Sequence, residues 1–162
     1  GKYGTDILEV HNYGSRILKC NISTSVFYRL ARIKELQKDT IYAQVLDYFY
    51  YSVIDNSNDT MIVRMYGTGS NRIFAENYMQ AIQASKNGDV LYLFDKIILS
   101  EITYTDILGE KHTLYYDRNN EISEDIYKKY FEASKKVWND MAFSLNKISF
   151  NRMKEKIEEY KR

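Results

Sequence analysis

The 162-residue chain carries 23 Lys/Arg against 22 Asp/Glu, for a net charge of +1, and is 44% apolar and 28% charged. That composition is globular rather than disordered, and a charge so close to zero excludes a global basic field that would draw in nucleic acid or anionic lipid. No apolar run approaches the roughly 20 residues that cross a bilayer, since the longest, 45–54 and 90–99, are interrupted by Asp47 and Asp95.

The length fits one α+β domain, 1–162, with 149–162 as a C-terminal helical extension. A lone cysteine, Cys20, excludes an internal disulfide framework and a Cys-based zinc site. It favours a reducing compartment, so the expected location is the cytoplasm; the alternative is the soluble domain of a membrane-anchored bacterial protein. Sixteen tyrosines and no proline, with abundant Ile, Asn and Lys, match an AT-rich coding sequence such as a phage or plasmid carries.

In chain order, 7–10 and 16–22 read as short strands around the turn Asn12-Tyr13-Gly14-Ser15. Ser23-Thr24-Ser25 offers N-caps for a helix over 26–37, where Val26, Phe27, Leu30, Ile33 and Leu36 recur at helical spacing. The aromatic and β-branched stretch 45–54 is expected to pair with 60–66 across the turn 55–59, although 41–54 also fits a helical face. Gly67-Thr68-Gly69-Ser70 then leads into a helix over 72–85. Two strands follow at 89–94 and 97–105, and a third at 111–116. Ser123, with Glu124 and Asp125 behind it, opens a long helix whose apolar stripe runs from Tyr127 to Ile148. A phase change near 146–151 starts a second helix. The expected architecture is an antiparallel sheet of five to seven strands packed by helices, including the long C-terminal one.

Chemistry is sparse along the chain. His11 and His112 each stand without a second ligand at metal-binding spacing, no G-x-S-x-G element is present, and Cys20 reads as a small buried residue. No catalytic residue, metal ligand or cofactor is therefore assigned. Gly67 and Gly69, with Arg72 at the helix start, form a candidate anion-binding turn, though P-loop spacing is missing.

The local balance is less even than the total. From Ser15 to Lys38 six basic residues face Glu35 alone. The basic strand Arg16-Ile17-Leu18-Lys19-Cys20-Asn21-Ile22, its Ser/Thr cap and the amphipathic segment after it resemble a ribbon-helix-helix DNA-binding module. The resemblance covers about forty residues. It implies a dimer whose paired strands enter the major groove, with Ile17, Lys19 and Asn21 facing the DNA, Leu18, Cys20 and Ile22 entering the core, Arg16 in the same basic strand, and Arg29 and Arg32 meeting phosphates.

The competing reading rests on the tyrosines, which gather on the predicted strands and supply contact area at low entropy cost. On it the chain is a non-enzymatic protein-interaction module, such as a mobile-element-encoded inhibitor or adaptor or the soluble part of a membrane-anchored assembly. A protein partner and self-association through the C-terminal helix are expected. The ribbon-helix-helix regulator and an enzyme with a site dispersed in sequence remain the alternatives.

Overall fold

The computed structural model describes residues 4–53, 61–67, 69–86 and 88–160. Its strands form two sheets: β1 (Asp6–His11), β2 (Ile17–Lys34), β3 (Gln37–Leu46), β4 (Tyr50–Val53), β5 (Met61–Gly67), β6 (Val90–Asp106), β7 (Lys111–Asp117), β8 (Asn120–Ile122) and β9 (Phe143–Ser144). The helices are α1 (Ser70–Ser85), α2 (Glu124–Trp138) and α3 (Phe150–Tyr160). The larger sheet has the order β8-β7-β6-β2-β3-β9, and the smaller one β1-β5-β4. The α+β class and the antiparallel-dominated sheet are as expected, and the larger sheet has six strands among the described residues; the second, three-stranded sheet was not expected. Among the described residues no helix is long and apolar enough to cross a membrane.

The helix expected over 26–37 does not form. Residues 17–34 are one continuous strand, paired with β6 from Ile17–Asp106 to Lys34–Val90. Its first half alternates between faces, as a half-covered strand should. From Val26 to Tyr28 three successive residues are buried, because helices cover both faces there, and such a run imitates a helical stripe. The hairpin to β3 turns at Glu35-Leu36, with Glu35 at φ 57° and Leu36 fully exposed.

The expected pairing of 45–54 with 60–66 holds for Tyr50–Val53, which runs antiparallel to β5. Val45 and Leu46 instead end β3, which pairs with β2. The turn at 55–59 lies outside the described residues. The two strands expected at 89–94 and 97–105 are one. Asp95 and Lys96, which read as a break, point to opposite faces, each toward a charge of opposite sign: Arg29 for Asp95, Asp6 for Lys96.

Helix α2 begins as expected, with the Ile126 amide donating to Ser123 Oγ at 3.2 Å and Glu124 and Asp125 in the first turn. It stops ten residues early, at Trp138, where Asn139 (φ 56°) and Asp140 (φ 66°) turn left-handed. Asparagine tolerates that conformation at a helix end. Phe143 and Ser144 then add in parallel to the end of β3. Helix α3 buries Phe150, Met153 and Ile157. Its apolar face is thus spent within its own chain, and Asn77 of α1 accepts a hydrogen bond from the Phe150 amide at 2.8 Å.

One face of the large sheet packs Val26, Tyr28, Leu30, Ile41, Ala43, Val45, Phe94 and Ile98 with residues of α1 and α3. The other carries Phe27, Ile97 and Leu99 beneath Tyr127, Tyr130 and Phe131 of α2.

Candidate functional site

The register of β2, β6 and β7 builds the floor of a cleft row by row. Ser100 and Tyr116 form one row, Ile102 and Leu114 the next, and Cys20, Tyr104 and His112 the third. β1 and the turn after it supply the opposite wall, with Leu8, Glu9, Val10, His11 and Tyr13. The enclosed volume is about 610 Å³, with Arg16 and Arg118 among the lining residues.

Both histidines line this cleft, brought together from separate sheets. His112 Nε2 donates to Asp106 Oδ2 at 2.8 Å, and its ring stacks on Tyr104 with centroids 4.9 Å apart. Asp106 also accepts from the amides of Leu108 and Glu110, both at 2.9 Å. The His112 hydrogen bond, then these amides, hold its carboxyl below the usual value. His11 Nε2 lies 3.0 Å from Glu9 Oε2, and its ring lies parallel to Tyr13. Glu9, which also accepts from Arg64 at 2.7 Å, is held low by His11 first and by Arg64 next. With Nε2–H donating to Glu9, a neutral His11 presents Nδ1 as an acceptor. Among the described residues, that buried Nδ1 and the Oγ of Ser100, a residue 2% exposed, have no hydrogen-bond partner.

The arrangement separates nucleophile from base. Cys20 and His112 sit two strands apart, about 10 Å at the usual strand spacing, with the Tyr104 ring between them. Burial pushes the Cys20 thiol up, which suppresses its thiolate. His112 is partly exposed and faces the cleft. Asp106, Glu110 and His112 place ligand atoms within 4.8 Å of one another. Both Asp106 oxygens already accept protein hydrogen bonds, so a cation there would have to displace them.

The candidate nucleic-acid residues do not share a surface. Lys19 and Asn21 point to the open face with Thr103 and Thr105, while Arg16 lines the cleft. Arg29 is bidentate to Asp95, its Nε 2.8 Å from Oδ1. Arg32 lies further along β2 with a buried Nε that has no hydrogen-bond partner among the described residues. The ribbon is completed by β6 of the same chain, and the helix that the resemblance requires is strand.

The candidate anion turn is also filled from within. Gly69 adopts φ 81°, Ser70 Oγ donates to the Gly67 carbonyl, and Arg72 pairs with Glu76. A Cβ on Gly67 would come within 2.7 Å of Ser70 Oγ and 3.1 Å of the Tyr48 ring. Thr68 lies outside the described residues.

A polar cluster with no counterpart in the sequence reading joins the two sheets. Lys96 Nζ lies 2.5 Å from Asp6 Oδ2, 2.7 Å from Asn71 Oδ1 and 2.9 Å from Tyr48 Oη. Tyr48 in turn donates to Asp6 at 2.8 Å. Burial alone would raise the Asp6 carboxyl, but the hydrogen bonds from Lys96 and Tyr48 and the Lys96 charge outweigh it and the carboxyl sits low. For Lys96, the deeper member at 10% side-chain exposure against 23%, burial prevails and lowers the ammonium. The one sequence signal was the Asp95-Lys96 pair inside an apolar run. Comparison with protein-family models, curated proteins and solved structures finds no match to this chain.

Proposed function

We propose that this chain is a non-enzymatic protein-interaction module that receives a segment of a partner in the cleft between its two sheets. The observation that carries the reading is the exposed apolar end of the strands that build the cleft. Tyr13, which lines it, is 82% exposed, and Leu108 in the β6–β7 turn is 81% exposed, with Leu18 and Ile107 more than half exposed at the same ends of β2 and β6. Apolar side chains gathered around a concave site mark contact surfaces rather than ordinary solvated loops. Inside, Arg16 and Arg118 line the cleft and offer positive charge. A partner segment with an acidic side chain answers both. The separation of Cys20 from His112 supports binding over nucleophilic catalysis.

Panning a displayed library of protein fragments tests this. Enriched fragments should lose at least about tenfold in affinity, some 1.4 kcal/mol, when Ile102→Trp fills the cleft or Leu108→Asp charges its exposed rim. Circular dichroism verifies that each variant is folded. A panning that enriches nothing, or fragments indifferent to both substitutions, overturns the reading.

A further inference from the structure

Backbone hydrogen-bond parity along β6 leaves a gap in the sheet's edge. The Tyr92 amide donates to Ser85 Oγ at 2.9 Å, so Tyr92 turns its backbone groups away from β2. At the other end the Ile98 carbonyl accepts from the Arg118 amide at 2.9 Å, again away from β2. No register shift intervenes between these residues, and antiparallel pairs alternate strictly. Phe94 and Lys96 therefore also direct N–H and C=O outward. β7 begins its pairing only at Leu99, and among the described residues no hydrogen bond reaches these four groups. Two hollows border the gap. One of about 400 Å³ lies beside Lys96, Ile97 and Arg118, and one of about 530 Å³ beside Leu91–Asp95 and α1.

The opposite edge of the sheet is finished differently. There the Gln44 amide donates to Ser134 Oγ at 3.0 Å, and the Tyr42 carbonyl accepts from Trp138 Nε1 at 2.9 Å. Beyond them Lys38 and Asp39 supply charges of the kind that guard an edge. The chain thus closes one edge with side chains of α2 and leaves the other open over four polar groups, a row of donors and acceptors that can template a further strand.

The geometry points to strand addition: an extended segment of a partner protein pairs with β6 between Tyr92 and Ile98, about 20 Å of edge at roughly 3.3 Å per residue. Charge selects the occupant. On the α1 side of the sheet Lys96 is answered by Asp6, while Arg118 has no ion pair among the described residues. Asp95 faces the other way, with Arg29. A segment with alternating apolar residues and one acidic residue opposite Arg118 fits. Two copies of this chain placed edge to edge would bring both pairs of Lys96 and Arg118 onto one face, and an inward-pointing charge on an edge strand opposes such pairing. The backbone geometry is independent of the cleft, with which this edge shares only Arg118.

The test uses the whole chain and a hexapeptide alternating Val and Thr that ends in Glu, read by amide hydrogen exchange and titration. In the free protein the Phe94 and Lys96 amides should exchange fast relative to Leu93 and Asp95, whose amides point to β2. Peptide should slow them at least about tenfold. Methylating the peptide nitrogens that face β6 should weaken binding about tenfold, the loss of two hydrogen bonds. Arg118→Ala should weaken the Glu peptide but not its Gln counterpart. Slow exchange at Phe94 and Lys96 in the free monomer, binding indifferent to methylation, or protection that grows with protein concentration alone would each overturn the proposal, the last by assigning the edge to a second copy.

Discussion

Lys96 shows how much one side chain can carry when it sits between two sheets. It holds Asp6 of β1, Tyr48 between β3 and β4, and Asn71 of α1 at once. Removing one member of a partly buried ion pair strands the other, at about 1–3 kcal/mol. Lys96→Met should therefore destabilise by that order in urea unfolding, and Asp6→Asn by less, since an amide still accepts from Tyr48. The Asp6 carboxyl titrates below its ordinary 3.8 in the folded chain, so the unfolded chain binds a proton first as pH falls. Its stabilisation is complete above that value and is lost as pH drops through the lower folded one. Unfolding free energy should decline below about pH 4, and Asp6→Asn should flatten that decline. Cys20 makes the opposite kind of prediction. With its thiol raised by burial, it should react with a disulfide reagent at pH 8 more slowly than a free thiol does, and regain the usual rate in urea.

The elements that were legible in sequence are those whose signals are local. Ser123 with two acidic residues behind it gave the start of α2, and the strand-to-helix turn gave α1 within two residues. The alternation placed Lys19 and Asn21 outside and Cys20 and Ile22 inside correctly, but the bulge between Ile17 and Lys19 reverses the first two residues: Ile17 lines the cleft and Leu18 is 61% exposed. What failed was decided by tertiary covering. Val26 to Tyr28 are buried on both faces of a strand, and nothing within the segment distinguishes that from a helical stripe. The hairpin after it was hidden because Glu35-Leu36 is not the Asn-Gly or Asp-Gly that usually marks such a turn. Glu35 pays a left-handed strain of roughly 1–2 kcal/mol, so Glu35→Gly should stabilise by about 0.5–1 kcal/mol after glycine's greater entropy loss. At the end of α2, Asn139→Val should cost about 1–2 kcal/mol, since a β-branched residue tolerates positive φ poorly. Thermal midpoints would show both. The candidate site was illegible for the same reason: His11 and His112 are 101 positions apart and meet across a cleft that exists only once two sheets are stacked.

On the scale of the whole molecule, α3 closes the interior on one side of the large sheet. Phe150 is 1% exposed and packs edge-on against Tyr92 and Phe94. Phe150→Ala should lower stability by about 3–5 kcal/mol in denaturant titration and weaken the seat of α3 against α1, where Asn77 meets the Phe150 amide. The β2–β6 ladder runs from Ile17–Asp106 to Lys34–Val90, about 55 Å at the usual rise per residue. A pull along that axis loads all its rungs together, so the ribbon must slide as a whole before it yields. A pull across it takes the rungs one after another. The molecule should therefore be stiff lengthwise and easily unzipped sideways, a direction-dependent strength that stretching single molecules from differently placed handles would measure.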